Sequence, residues 1–331
     1  MKSKITIWGV LFSVLLVFPI QTLNSWGFFG HIRINKMAVF TLPPEMIGFY
    51  KRYIDYISEH AVDPDKRRYA SAVEAPRHYI DIDHYGNDSI DPFEAVPKRW
   101  NDAVAKYSED TLQAYGIVPW HINRMVYRLT DAFKEKNTER ILYLSADLGH
   151  YIGDAHVPLH TTKNYNGQMT GQRGIHGFWE SRIPELTADE YDYFVGRAVF
   201  VKSALDLAWE TVKASHAGVD SVLSFERELN SRFPTDQKYT YENRGASIMK
   251  QYSTNYSMEY NRMLDGMVER RMRKAVIAVG SLWYTAWVNA GEPDLDELLL
   301  SERDIAQMEK EAKELEEQFQ GKTIKGREHD H

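Results

Sequence analysis

The sequence predicts an all-α fold, a single domain of roughly eight to ten helices. Apolar residues recur at helical spacing along most of the chain, and period-two alternation is almost missing. Turn punctuation is also sparse, with 20 glycines and 12 prolines in 331 residues. A hydrophobic share of 43% and a charged share of 26% exclude a disordered chain. No repeat of solenoid length is present.

The amino terminus stands apart from this pattern. Met1-Lys2-Ser3-Lys4 precedes the uncharged run ITIWGVLFSVLLVFPIQTL. Two lysines before an apolar core of about 16 residues read as a secretory signal peptide over 1–25. A transmembrane anchor is the competing reading, but Pro19 and Gln21 end the run short of the ~20 residues that a span needs. Cleavage is expected after the small Ser25. The domain then covers 26–300 and begins at Trp26. The protein is expected to be exported, to periplasm or medium, with no stable membrane anchor.

The helices follow in order. From Pro44, the residues Met46, Ile47, Phe49, Tyr50, Tyr53, Ile54 and Ile57 make one stripe, ending near Val62. Ile122, Met125, Val126, Leu129 and Phe133 make another, and Ile141, Leu144, Leu148, Tyr151 and Ile152 a third. Residues 189–215 read as one helix through Tyr191, Phe194, Val195, Ala198, Val201, Leu205, Trp209 and Val212. Residues 240–290 read as two long helices split near Gly266. The Gly-rich polar segment 162–177 reads as a loop over a site. Residues 301–331, dominated by Glu, Lys, Arg and Gln, read as a charged helical tail.

Charge and cysteine content narrow the chemistry. Forty Lys and Arg against 47 Asp and Glu give −7. Such a chain lacks the general basic surface that holds nucleic acid by charge alone. With no cysteine there is no disulfide, no thiolate metal site and no thiol nucleophile. Any metal must be held by His, Asp, Glu or backbone.

The histidines carry the signal. His150 and Asp154 are four apart and share a helix face, and His160 follows Pro158. His176 and Glu180 repeat the spacing. A lone His-x-x-x-acid is weak: 12 histidines and 47 acids give about two by chance, and four occur. Context discriminates, because these pairs lie in apolar, aromatic sequence where an unpartnered imidazole or carboxylate is costly. Upstream, Arg77-His78-Tyr79-Ile80-Asp81-Ile82-Asp83-His84 packs two histidines and two acids into a hydrophobic frame, and Asp63-Pro64-Asp65 precedes it. A free amino group on Trp26, with its own carbonyl, can chelate a metal, and His31 can complete that site.

The ordered set Trp26, His31, Asp63, His78, His150, Asp154, His160, His176 and Glu180 resembles the trinuclear zinc phosphodiesterases. These comprise the bacterial zinc-dependent phospholipases C and the fungal and plant single-strand-specific nucleases. The resemblance implies an all-α exported hydrolase with three Zn²⁺ per chain. It implies one zinc on Asp63, His78, His150 and Asp154, a second on Trp26, His31 and the shared Asp154, and a third on His160, His176 and Glu180. Asp65 is the rival to Asp63. Imidazole and carboxylate suit zinc where thiolate is missing. A carboxylate bridging two ions holds them close enough to acidify a water between them. Asp154 is thus expected to be catalytic, and Asp63 to double as proton acceptor. Three Zn²⁺ would also supply, in one cleft, the positive charge that the acidic chain lacks.

Substrate signals are mixed. The five-residue step from Trp26 to His31, Trp179 beside the last ligand, and His78-Tyr79-Ile80-Asp81 resemble the nucleases. Glu180 in place of Asp, the 16-residue gap from His160 to His176, and the His150–His160 stretch resemble the phospholipases. Disulfides common in the fungal nucleases are absent. Tyr79, Tyr165 and Phe178 could stack bases or line a lipid-headgroup pocket by cation–π contact. The reading favoured is a single-strand nuclease or nucleotidase with Tyr79, Asp81 and Phe178 as substrate contacts. Its alternative is a phospholipase C acting on phospholipid. A non-catalytic exported zinc-binding protein would have no need of an N-terminal Trp chelate. A helical di-iron protein needs Glu-x-x-His pairs, and the only one here is Glu328/His331 in the tail. Among the other histidines, His60 reads as a helix end, His84 as a loop or supporting residue, His156 as solvent-facing, and His121 and His216 as helix-terminal. His329 and His331 read as tail residues without a role.

Overall fold

The computed structural model describes residues 26–319 apart from 69–70, 88 and 245–246. The signal peptide expected over 1–25 and the end of the tail lie outside the described residues, as does the Trp26 side chain. The described chain is all-α, with one two-stranded hairpin, Tyr239–Arg244 against Ser247–Tyr252.

The fold is built around the Thr138–Ala155 helix, which is buried almost all round. Asn137 starts it, its side chain accepting from the Arg140 N–H at 3.0 Å. The Val118–Lys134, Trp26–Val39 and Met267–Asn289 helices pack around it. Close approach to the Trp26–Val39 helix depends on two glycines one turn apart. A Cβ on Gly149 would collide with the Asn35 side-chain amide, and one on Gly153 would sit 2.8 Å from His31 Nδ1. Asn35 uses the contact to donate to the carbonyls of Ile57 and Ala146, each at 3.1 Å. That couples three helices through one buried amide.

The other expected helices are found with three differences. The stripe from Pro44 breaks at Tyr53 into Pro44–Arg52 and Ile54–Glu59, followed by a tight turn over His60–Val62. The stripe over 189–215 is α-helical only from Ala204, where Ser203 caps it by accepting from Asp206 N–H at 3.1 Å. Residues 192–202 instead form an extended strap. Gly196 takes a positive φ of 95°, which a helix cannot hold. The strap's N–H groups go to neighbours: Ala198 to the Thr41 carbonyl, Val199 to Ser281 Oγ and Val201 to Thr285 Oγ1. The pattern over 240–290 begins with the hairpin rather than a helix. Two helices follow it, Thr254–Met263 and Met267–Asn289, with Gly266 between them in the left-handed region. The tail is helical over Glu302–Phe319 and sets Ile305 and Met308 against the core.

Candidate metal centre

Five histidines and three acids converge where the central helix, the first helix and two loops meet. His150 and Asp154 come from the central helix, and His31 from the Trp26–Val39 helix across the Gly153 gap. His78 follows the turn Ala75–Arg77, and His160 lies in the turn Pro158–Thr161 that Pro158 forces after the helix. His176 and Glu180 flank the start of a single π turn, Phe178–Arg182. The π turn leaves His176 Nε2 and Glu180 Oε2 3.1 Å apart.

The donor atoms form three groups that could each hold a cation: His31, Asp65 and His150; His78, His150 and Asp154; His160, His176 and Glu180. Asp154 joins them. Its Oδ2 lies 2.9 Å from His78 Nδ1 and 3.1 Å from His150 Nε2. Its Oδ1 lies 3.3 Å from His31 Nε2 and 3.8 Å from His160 Nε2.

The backs of the rings fix which nitrogen faces inward. His150 Nδ1 donates to the Ala61 carbonyl at 2.8 Å, His160 Nδ1 to that of His78 at 2.6 Å, and His176 Nδ1 to that of Tyr165 at 3.1 Å. With the proton held behind, each inward nitrogen presents a lone pair. Yet His150 Nε2 stands 3.0 Å from His78 Nδ1, and His176 Nε2 stands 3.1 Å from His160 Nε2. In the His176–His160 pair both proton-bearing nitrogens are turned outward, so two lone pairs face each other and repel unless a cation lies between them or one ring takes a proton. The donor set thus fits a metal such as Zn²⁺, which takes imidazole and carboxylate.

Electrostatics point the same way. Burial disfavours charge on His150, but Asp154 and Asp65 outweigh it and push its pKa up to about 9. His160 is raised against burial by Asp154 and Glu180. Burial also opposes ionisation of Asp154, yet the histidines around it, His150 first, hold its carboxyl well below the usual range. His176 and His160 do the same for Glu180. In His31 burial dominates, joined by His150, and lowers the pKa.

Most of the residues singled out in the sequence are brought together, and two are not. Asp63 is turned away: His60 Nδ1 meets its Oδ2 at 2.6 Å and Lys66 Nζ its Oδ1 at 3.1 Å. Asp65, two residues on, takes its place with Oδ1 3.7 Å from both His78 Nδ1 and His150 Nε2. Asp-Pro-Asp offers two acids, and His60 captures the first. Phe178 is buried in an aromatic stack, with Tyr252 at 3.9 Å and Tyr260 at 4.9 Å, and offers no face to a substrate. Tyr79 and Asp81 stay beside His160, since Ile80 N–H donates to the His160 carbonyl at 2.9 Å. Both are nearly buried. Tyr165 is half-buried, its ring 6.4 Å from that of His176. His156 is buried rather than solvent-facing, its Nδ1 donating to the Ile152 carbonyl at 2.7 Å. His121 is likewise buried, edge-on to Tyr151 at 4.4 Å.

Sequence reasoning passed over a charged cluster behind the centre. Glu74 is buried and accepts from Tyr151 Oη and from Arg77 Nη1 at 2.7 Å. Its Oε1 lies 3.7 Å from His78 Nε2, the nitrogen facing away from the centre. Arg67 Nη2 bonds Asp147 Oδ2 at 2.6 Å, and Arg67 Nε lies 3.7 Å from Glu74 Oε2. Asp147 in an apolar helix, one turn before Tyr151, was the available signal.

The S1/P1 nuclease family model matches residues 26–282. The chain belongs to the S1/P1 nuclease family. No curated protein sequence matches it. Among solved structures, it is similar to alpha-toxin from an avian strain of Clostridium perfringens, at 13% identity and TM-score 0.47 over 80% of this chain and 65% of that one. It is also similar to alpha-toxin from Clostridium absonum, at 12% identity and TM-score 0.44 over 81% and 65%. The chain thus spans 65% of the toxins' length. No helix among the described residues is long and apolar enough to cross a membrane.

Proposed function

We propose that this chain is an exported, zinc-dependent phosphodiesterase that cleaves single-stranded nucleic acid or nucleotides. The observation that carries the reading is Asp154, whose two oxygens face different sets of histidines. A carboxylate so presented can bridge two ions, with a third group standing beside it in His160, His176 and Glu180. Membership of the S1/P1 nuclease family favours nucleic acid over lipid.

Three zinc ions are assigned here. Asp65, His78, His150 and Asp154 would hold one, and His31, Asp154 and the Trp26 amino and carbonyl groups a second. His160, His176 and Glu180 would hold the third. Bound zinc supplies positive charge for a phosphodiester and acidifies water at neutral pH. The chain's own residues do the rest. Carbonyls of Ala61, His78 and Tyr165 keep three rings in one tautomer. Asp65 is the most open acid of the cluster, its side chain 20% exposed, and it takes the proton-accepting role first given to Asp63. Tyr79, Asp81 and Tyr165 border the His160 and His176 side, where a base can stack and hydrogen-bond.

The test is hydrolysis of single-stranded DNA, RNA and phosphatidylcholine by the mature protein, with and without chelator, beside a zinc count. Chelator-sensitive cleavage of nucleic acid with about three zinc per chain is expected. Cleavage of phosphatidylcholine alone would make it a phospholipase. Binding of zinc with no hydrolysis would leave a non-catalytic protein.

A further inference from the structure

The hairpin Tyr239–Arg244/Ser247–Tyr252 is not used by the site described so far, yet it is fastened to it. Tyr252 stacks on Phe178 at 3.9 Å, and Arg182 Nε donates to the Tyr252 carbonyl at 3.1 Å. Arg182 Nη1 also reaches Glu242 at 2.9 Å. Phe178 and Arg182 each stand two residues from Glu180, so the hairpin grips the turn that carries one acid of the metal centre.

Register sorts the hairpin into two faces. Tyr239 opposes Tyr252, Tyr241 opposes Lys250, and Asn243 opposes Ile248, so these six share one face. That face carries three tyrosines, a lysine and an asparagine, and no acid. Glu242, the hairpin's acid, is on the other face with Arg182. Tyr241 is 72% exposed and Ile248 71%, while Tyr239 is 39% exposed with Lys250 Nζ 3.9 Å over its ring. In a chain of net charge −7, an acid-free face of tyrosine and lysine is a local exception.

We propose that this face, through Tyr239, Tyr241, Asn243 and Lys250, is a secondary binding surface for single-stranded nucleic acid. A base stacks on the exposed Tyr241 ring, Lys250, seated on Tyr239, meets a backbone phosphate, and the scissile phosphodiester lies at the metal centre. Stacking on rings suits any base, and a lone cation between rings suits the repeating phosphate. Lipid insertion is a poorer match. Ile248 and Met249 point to opposite faces, so neither face is continuously apolar. The proposal rests on the nuclease reading and extends it to strands longer than the site itself can hold.

The test compares Tyr241→Ala, Tyr241→Phe and Lys250→Ala with the unaltered enzyme on two substrates. One is an oligothymidylate of about 20 nucleotides and the other the dinucleotide TpT. Tyr241→Ala should raise KM for the long strand roughly tenfold, while Tyr241→Phe, which keeps the ring, should not. Lys250→Ala should flatten the salt dependence of KM by about 0.7 in log–log slope. None should change kcat/KM on TpT, whose single phosphodiester must occupy the metal centre to be cleaved. Cleavage of the long strand with KM unmoved in Tyr241→Ala and Lys250→Ala overturns the proposal and leaves the nuclease reading standing. Equal losses on TpT also overturn it, since they would mark damage to the centre. An unaltered enzyme that cleaves neither substrate fails the nuclease reading itself. If the variants lose co-sedimentation with phosphatidylcholine vesicles and keep oligonucleotide affinity, the face is a lipid surface and the proposal is wrong.

Discussion

His150, His160 and His176 are each held from behind by a backbone carbonyl, whereas His78 is backed by a side chain. Glu74 faces its outer nitrogen and is itself fixed by Tyr151 and Arg77. Burial opposes a charged Glu74, but His78 and Arg67 outweigh it and lower its pKa. A carboxylate behind a ligating imidazole sets the tautomer and raises basicity, and its loss commonly costs 10–100-fold in metal affinity. Glu74→Gln is therefore expected to weaken zinc retention about 10–100-fold in competition with a chelating dye. Unchanged retention would limit Glu74 to packing. The two neighbouring acids make a sharper comparison. Asp65→Asn should lose zinc and cut turnover at least ~100-fold, while Asp63→Asn should lose stability through His60 and keep its metals. The reverse result would restore Asp63 as the ligand. Sequence spacing could not separate these two acids, because what decides is which of them His60 takes. The histidines that converge at the centre were legible because each sits in apolar sequence that offers an imidazole few partners.

At the scale of elements, the centre depends on how closely two helices meet. Gly149 and Gly153 let the Trp26–Val39 helix approach the central helix, bringing His31 to Asp154 and Asn35 to the Ala146 carbonyl. Gly149→Ala would press a methyl into the Asn35 amide, and overpacking of this kind costs about 1–3 kcal/mol. Thermal melting should fall by several degrees, with zinc affinity at the His31 site falling too. A rise in Tm, the usual result of Gly→Ala in a helix interior, would show that Asn35 can move aside. His156 adds a pH signature to the same helix end. Burial, then Arg271, pushes its pKa down to about 3, so it stays neutral in the fold while the unfolded ring protonates near 6.5. Its contribution is complete above about 6.5 and is lost as pH falls toward 3. His156→Gln should flatten that acid limb of the melting curve. Helices were legible wherever an apolar stripe ran without interruption. The strap over 192–202 was not, because its stripe mimics helical spacing while Gly196 and side-chain acceptors on the neighbouring helix hold it extended. The hairpin was not either, since Tyr239-Thr240-Tyr241-Glu242 alternates over only four residues and the partner strand Ser247–Tyr252 does not alternate.

Across the whole molecule, the charges buried in the centre make its stability depend on metal and pH together. Without metal, the inward nitrogens of His150 and His78, 3.0 Å apart, are reconciled by a proton, and Asp154 and Asp65 hold that proton on His150 up to about pH 9. His150 is thus raised in the fold above its unfolded value near 6.5. Its stabilising contribution is complete below that value and disappears as pH rises through about 9. Asp154 and Glu180 behave oppositely, being depressed in the fold, so what they contribute is present above the unfolded carboxylate range and is lost on acidification. Chelator-treated protein should therefore be most stable between these limits and should lose Tm steadily from about pH 6.5 to 9.5. Bound metal takes the proton's place and is held more tightly as pH rises, since it no longer competes with protons for the imidazoles. Zinc-loaded protein should hold its Tm over the same interval, so the gap between the two forms should widen with pH. Differential scanning calorimetry at several pH values, with zinc and with chelator, measures that gap directly. Parallel curves would mean that the histidines are reconciled by neither proton nor metal. In that case the three groups of ligands would not be one coupled centre.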